Sequence, residues 1–127
     1  MKRVTGIGGI FFKSENPQMM KDWYNKHLGV ETDEWGGVFH WRSQDDPAKN
    51  NTTVWSPFPK DTKYFSPSRK SYMFNYIVEN LAELLPILKE EGVKVVGEIQ
   101  EFEYGKFAWI IDPEGNKIEL WEPFGQK

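Results

Sequence analysis

The sequence predicts an α+β fold built from two copies of a strand-helix-strand-strand-strand module. Three observations carry that prediction. Two segments have the caps and spacing of amphipathic helices, eight others read as strands bounded by Gly, Pro, Asn and Asp, and short identities recur between the halves in the same order. At 127 residues the chain has the size of one domain. Module one spans about residues 4–58, a linker 59–70, and module two about 71–124.

Val4–Phe12 is the first strand. Met1-Lys2-Arg3 ahead of this apolar stretch has the outline of a secretion signal. Gly6, Gly8 and Gly9 interrupt it, however, Lys13 closes it, and no small-x-small cleavage site follows. With no run near the ~20 apolar residues of a membrane span, the expected location is cytoplasmic and no membrane partner is expected. The first helix has Asn16 as its cap, Pro17 at its first position and Gly29 as its stop. Between them Met20, Trp23, Tyr24, His27 and Leu28 share one helical face. Val30–Glu34, Val38–Arg42 and Thr52–Trp55 follow as strands, with Ser43–Asn51 a polar loop. Ser56–Lys70 holds Pro57, Pro59 and Pro67 and reads as irregular, with Tyr64 and Phe65 marking it as packed against something.

Module two opens on the strand Ser71–Val78. Its helix starts at Asn80, with Glu83 completing a capping box, and stops at Gly92; Leu81, Leu84, Leu85 and Leu88 form its stripe. Pro86 inside that helix costs about 3 kcal/mol if fully interior, so a kink or a later start is expected. Val93–Ile99, Phe107–Ile111 and Lys117–Trp121 complete the strands. Asp112-Pro113-Glu114-Gly115-Asn116 is a hairpin turn in which Pro presets φ and Gly supplies the positive φ. Glu15-Asn16 recurs as Glu79-Asn80, Gly29-Val30 as Gly92-Val93, and Trp55-Ser56-Pro57-Phe58 as Trp121-Glu122-Pro123-Phe124. Three matches in the same element order point to duplication.

Composition narrows the function. Aromatic residues make up 16% of the chain, too many large rings for a disordered segment, so they fill a core, line a pocket, or both. A net charge of −3 without a basic block argues against nucleic acid as a partner. The absence of Cys excludes disulfides, thiolate metal sites and cysteine nucleophiles together.

The strand and Asn16-Pro17 helix of Gly6–Gly29, Gly92-Val93, and above all the closing stretch Phe107–Trp121 with its Asp-Pro-Glu-Gly-Asn-Lys-Ile-Glu-Leu run resemble the vicinal oxygen chelate superfamily, which contains glyoxalase I, bleomycin-resistance proteins and extradiol dioxygenases. The resemblance covers nearly the whole chain. It implies that the paired βαβββ modules curl into a cup-shaped mixed, antiparallel sheet that holds a ligand, and that the protein is a homodimer. It also implies a divalent metal held by one side chain on the first and last strand of each module. Those positions fall on Gly9, Met73, Thr53 and Glu119, of which only Glu119 is a suitable ligand. The expectation is therefore no metal and no cofactor.

Strand alternation then places Glu119 and Trp121 in the cup, opposite Ile118 and Leu120, with Thr53 and Trp55, Met73 and Asn75, and Phe11 on the same side. On the third strand His40 and Arg42 are assigned to the cup, and Phe39 and Trp41 to the helix side. Phe74 and Tyr76 are placed under a helix. Glu119 reads either as a general base with its pKa raised by burial or as an acceptor in a structural network. His40 reads as a proton shuttle or an ordinary exposed His, and Arg42 as a partner for an anionic ligand. Trp55 and Trp121 stack on a ligand or belong to the core. The leading expectation is a metal-independent binder of a small aromatic or amphipathic molecule. The rival is a lyase, isomerase or dioxygenase working through Glu119 and His40.

Overall fold

The computed structural model describes residues 2–124; Met1, in the charged opening triplet, lies outside them. Among the described residues eight strands and two helices run in the order β1 (Val4–Ser14), α1 (Pro17–Leu28), β2 (Thr32–Asp33), β3 (Gly36–Arg42), β4 (Asn50–Pro59), β5 (Tyr72–Val78), α2 (Leu81–Glu90), β6 (Lys94–Phe102), β7 (Gly105–Ile111) and β8 (Lys117–Pro123). They form one open mixed sheet with the strand order β2-β3-β4-β1-β5-β8-β7-β6. The first strands of the two βαβββ units lie side by side and antiparallel, with Gly9 opposite Asn75, Ile10 opposite Phe74 and Phe11 opposite Met73. Each first strand pairs in parallel with the last strand of its own unit, β1 with β4 and β5 with β8.

Both helices start where the caps require. Asn16 accepts a hydrogen bond from the Met19 N–H at 3.0 Å, and Asn80 accepts one from the Glu83 N–H at 3.1 Å. Pro86 lies inside α2 without ending it. The closing hairpin turn is held by Asp112, whose Oδ1 accepts from the backbone N–H of Glu114 and of Asn116, both at 2.9 Å. β4 is longer than the expected Thr52–Trp55 and absorbs Pro57 and Pro59. Its pairing with β3 ends at Trp55 opposite Gly37, so from Ser56 onward one edge of β4 is open and proline's missing N–H breaks no ladder there.

The two units are covered unequally. α2 buries Leu81, Leu84, Leu85 and Leu88 against Val78, Ala108 and Leu120, each such leucine contributing about 1.5–3 kcal/mol. α1 has no buried residue. It rests on β4 through Tyr24, whose ring centroid lies 4.4 Å from that of Trp55, while Trp23 and Leu28 stay 51% and 62% exposed. Phe39 and Phe74, expected under helices, are likewise exposed. Because α1 sits on β4 and α2 on β6–β8, the central strands carry no helix at Ile10 and Phe74.

Candidate functional site

The opposite face of the sheet forms the cup, and its deepest polar group is Glu119 on β8, 2% exposed. Strand pairing sets Asn75 beside it on β5 and Trp109 on β7. Asn75 donates from Nδ2 to Glu119 Oε1 at 2.5 Å, and Trp109 donates from Nε1 to Oε2 at 2.9 Å. The third donor is the hydroxyl of Tyr64, brought in by the linker between β4 and β5 and bonded to Oε2. Gly8 makes room for this cluster, because a Cβ there would run into Asn75 Oδ1 and stand 2.8 Å from Trp121 Cε3. Asn75 Oδ1 is buried and finds no donor among the described residues.

Lys117 stands on the same face of β8. Its ammonium donates to the Tyr64 carbonyl at 2.7 Å and lies 5.3 Å from the Tyr64 ring centroid and 5.5 Å from that of Trp109. Burial pushes the Glu119 carboxyl above the ordinary carboxylate range, while its three donors and the Lys117 charge pull it back. Burial also raises the Tyr64 phenol, helped by the neighbouring carboxylate. The same desolvation lowers the Lys117 ammonium, with the charge of Glu119 opposing.

The linker fills the middle of the cup. Phe65, with no exposed surface, packs with Phe11, Met73 and Trp109, and Val54, Phe58, Val96 and Phe107 surround them. A cleft of about 330 Å3 stays open to one side, between Tyr64, Trp109, Lys117 and the β6 residues Gly97, Gln100 and Phe102. β6 and β7 lose register between Val96 and Gln100, and Gly97 has a φ of +74° at this irregularity.

Glu119 and Asn75 are therefore brought together, with Phe11 and Met73 beside them but packed beneath Phe65 rather than lining the cleft. Trp121 is on the cup face, stacked on Phe107 at 6.0 Å and 4° between planes, its Nε1 bonded to the Tyr104 carbonyl. Trp55 is on the other face, against Tyr24 and Phe12. The repeated Trp-x-Pro-Phe segments are not equivalent in space. Phe11 and Asn75 each stand five residues before a capping Asn, and they pair with Ser56 and Glu119. Ser56, not Thr53, is thus the counterpart of Glu119. Thr53 serves the backbone instead, its hydroxyl accepting from Trp41 Nε1 at 2.8 Å and donating to the Ile7 carbonyl at 2.5 Å. His40 and Arg42 are exposed on β3, near the far edge of the sheet from Glu119, and Arg42 bonds the Pro47 carbonyl at 2.9 Å.

None of the residues that wall the cleft, Tyr64, Trp109 and Lys117 with Gly97, Gln100 and Phe102 of β6, was among the candidates drawn from the sequence. Lys117 shared the alternation that chose Glu119 and Trp121, and its type was the signal. Of the positions that the resemblance assigns to metal ligands, only Glu119 carries a suitable group, and its oxygens take three hydrogen bonds. Among the described residues no three His, Asp or Glu side chains gather as a metal ion would need. The residues present do not fit a chelated divalent cation.

The model of the Glyoxalase/Bleomycin resistance protein/Dioxygenase superfamily matches residues 7–120. The chain belongs to this superfamily. No curated protein matches it in sequence. Among solved structures, superfamily folds align over nearly all of it. Methylmalonyl-CoA epimerase from Mycobacterium tuberculosis is 20% identical, with 98% of this chain and 92% of that chain covered and a TM-score of 0.64. A substituted Streptomyces coelicolor methylmalonyl-CoA epimerase in complex with 2-nitronate-propionyl-CoA is 14% identical, covers 98% of both chains and has a TM-score of 0.71. A superfamily member from Vibrio splendidus 12B01 is 10% identical, with 91% and 97% covered and a TM-score of 0.57. At these identities the glyoxalase-type likeness is one of fold. Among the described residues no helix is long and apolar enough to cross a membrane.

Proposed function

We propose that this superfamily member is a metal-independent small-molecule-binding protein that holds a planar, amphipathic ligand in the cleft between the linker and β6–β8. One observation carries the reading: the open space of about 330 Å3 is walled by the rings of Tyr64, Phe102 and Trp109 and carries polar groups at Lys117 and Gln100. A few convergent polar groups in a largely apolar recess fix a ligand's orientation while the rings supply contact area. Glu119 supports the site from below, because its hydrogen bonds hold Tyr64 and Trp109 in place as walls. The lack of a chelating set around Glu119 supports metal independence.

Thermal-shift screening against planar aromatic compounds tests the reading. A ligand at about a hundred times its Kd is expected to stabilise the fold by about 2.7 kcal/mol. Phe102→Ala should weaken that shift without lowering the stability of the free protein, since Phe102 is half exposed. A screen in which no compound raises the transition would count against the proposal. Methylmalonyl-CoA and related thioesters belong in the panel because epimerases share the fold.

A second reading is an acid/base lyase or isomerase, supported by the contact between the raised Glu119 carboxyl and the Tyr64 hydroxyl. In the present arrangement Tyr64 stands between Glu119 and the cleft, so this chemistry would first require the linker to move. Turnover of a bound compound that is lost in Glu119→Gln would favour it.

For assembly we infer a homodimer through the helix-bearing face of the central strands. Ile10 and Phe74, paired in register, are 39% and 40% exposed there. The chain's accessible surface is 8338 Å2, against about 7,000 Å2 for an average folded chain of its mass. The excess is larger than the ~800 Å2 that one partner buries in a standard interface. Sedimentation velocity is expected to give twice the chain mass, and Ile10→Glu to give the monomer.

A further inference from the structure

We propose that the ligand is an aromatic carboxylate, its ring lying among Phe102, Trp109 and Tyr64 and its negative charge resting on Lys117. The proposal rests on the binding function above and names its ligand class. Lys117 is 8% exposed and, among the described residues, is the one cation that lines the cleft. No carboxylate among the described residues pairs with its ammonium, while the ion pairs present involve Lys2 and Arg3. Glu119, next along the same face of β8, is committed to Tyr64, Asn75 and Trp109 instead.

An ammonium partly withdrawn from water is costly when the nearest carboxylate, Glu119, acts on it only through space and makes no contact with it. The Tyr64 carbonyl takes one of its three donors, and the Tyr64 and Trp109 ring faces offset part of the cost as cation–π partners. Two donors stay available to an anion entering the cleft. The single cation, with the Gln100 amide elsewhere on the same cleft wall, suits a monoanion better than a phosphate dianion. Gly97 presents no side chain, and the walls are rings, so the complementary body is flat. A charge-assisted hydrogen bond to a partly desolvated ammonium is the stronger kind.

Calorimetric titration with 2-naphthoate and with the neutral 2-naphthylmethanol tests this assignment. The wild-type chain is expected to bind the carboxylate about tenfold more tightly than the alcohol or better, the factor that one charge-assisted hydrogen bond supplies. Lys117→Met should erase that gap by weakening 2-naphthoate alone. Equal binding of the two compounds by the wild type would overturn the charge assignment and leave the binding function standing, and this comparison needs no variant. A preference that survives Lys117→Met would also overturn it. If neither compound binds, the assignment falls together with the binding function beneath it.

Discussion

Glu119→Ala is expected to destabilise the chain by about 3 kcal/mol, read from the denaturant midpoint at constant m-value. The substitution removes the acceptor for Asn75 Nδ2, Trp109 Nε1 and the Tyr64 hydroxyl at once. A buried donor left unpaired costs about 1–3 kcal/mol, and water entering the vacated space offsets part of the sum. Glu119→Gln should be far milder. Its carbonyl oxygen can still accept from Trp109 and Tyr64. Its new amide would face Asn75, which can turn over and offer Oδ1, the atom that now has no donor. The pair of variants therefore separates the loss of an acceptor from the loss of a charge.

The same glutamate sets a pH dependence. Burial raises the folded-state pKa of Glu119 above its unfolded value. Below the unfolded pKa both states are protonated. As pH rises toward the folded value the unfolded chain ionises while the native carboxyl does not, so stability falls across that window. In Glu119→Gln that falling limb should be absent, and the difference between the two stability curves isolates the contribution of this group. A wild-type curve that rises relative to Glu119→Gln through the same window would show that the hydrogen bonds, and not desolvation, dominate at Glu119.

Phe65→Ala is the other large effect, expected to cost about 3–5 kcal/mol. Phe65 is fully enclosed by Phe11, Met73 and Trp109 at the centre of the cup, so its removal leaves a cavity against Glu119's neighbours instead of an exposed surface. Benzene or toluene should recover part of the lost stability by entering that cavity, and neither should stabilise the wild type through this position. A loss below about 1 kcal/mol, outside the usual range for an emptied core site, would mean that the linker does not close the cup in solution.

Much of the fold was legible in the chain because it is written in local chemistry. The two capping asparagines, the Asp-Pro-Glu-Gly-Asn turn and the period of the α2 leucines each act within a few residues of themselves. Alternation along β8 was enough to place Glu119 on the cup face. It could not say what stands opposite, because the register between strands depends on pairing across the sheet. Trp109 lies opposite Glu119 for that reason, and nothing in Phe107–Ile111 alone reveals it. The recurring Trp-x-Pro-Phe motif misled for a related reason. Its two copies sit at different distances along their strands from the paired positions Phe11–Ser56 and Asn75–Glu119, so one Trp faces α1 and the other the cup.

The linker was the least legible part. Its prolines signalled irregular backbone, and Tyr64 and Phe65 signalled packing, but the side of the sheet it crosses is a tertiary choice. That choice moved the open space away from Phe11, Met73 and Trp121 and toward Lys117 and β6. α1 shows the converse, a legible apolar face that the chain itself leaves largely uncovered.

The binding function and its independence of metal are tested most directly together, by equilibrium titration of chelator-treated protein with 2-naphthylmethanol, followed by the same titration after magnesium, manganese or zinc is restored. The expected result is saturable one-to-one binding whose affinity is the same before and after the metal is returned. Binding that emerges only with a divalent cation, or none under either condition, would contradict the account.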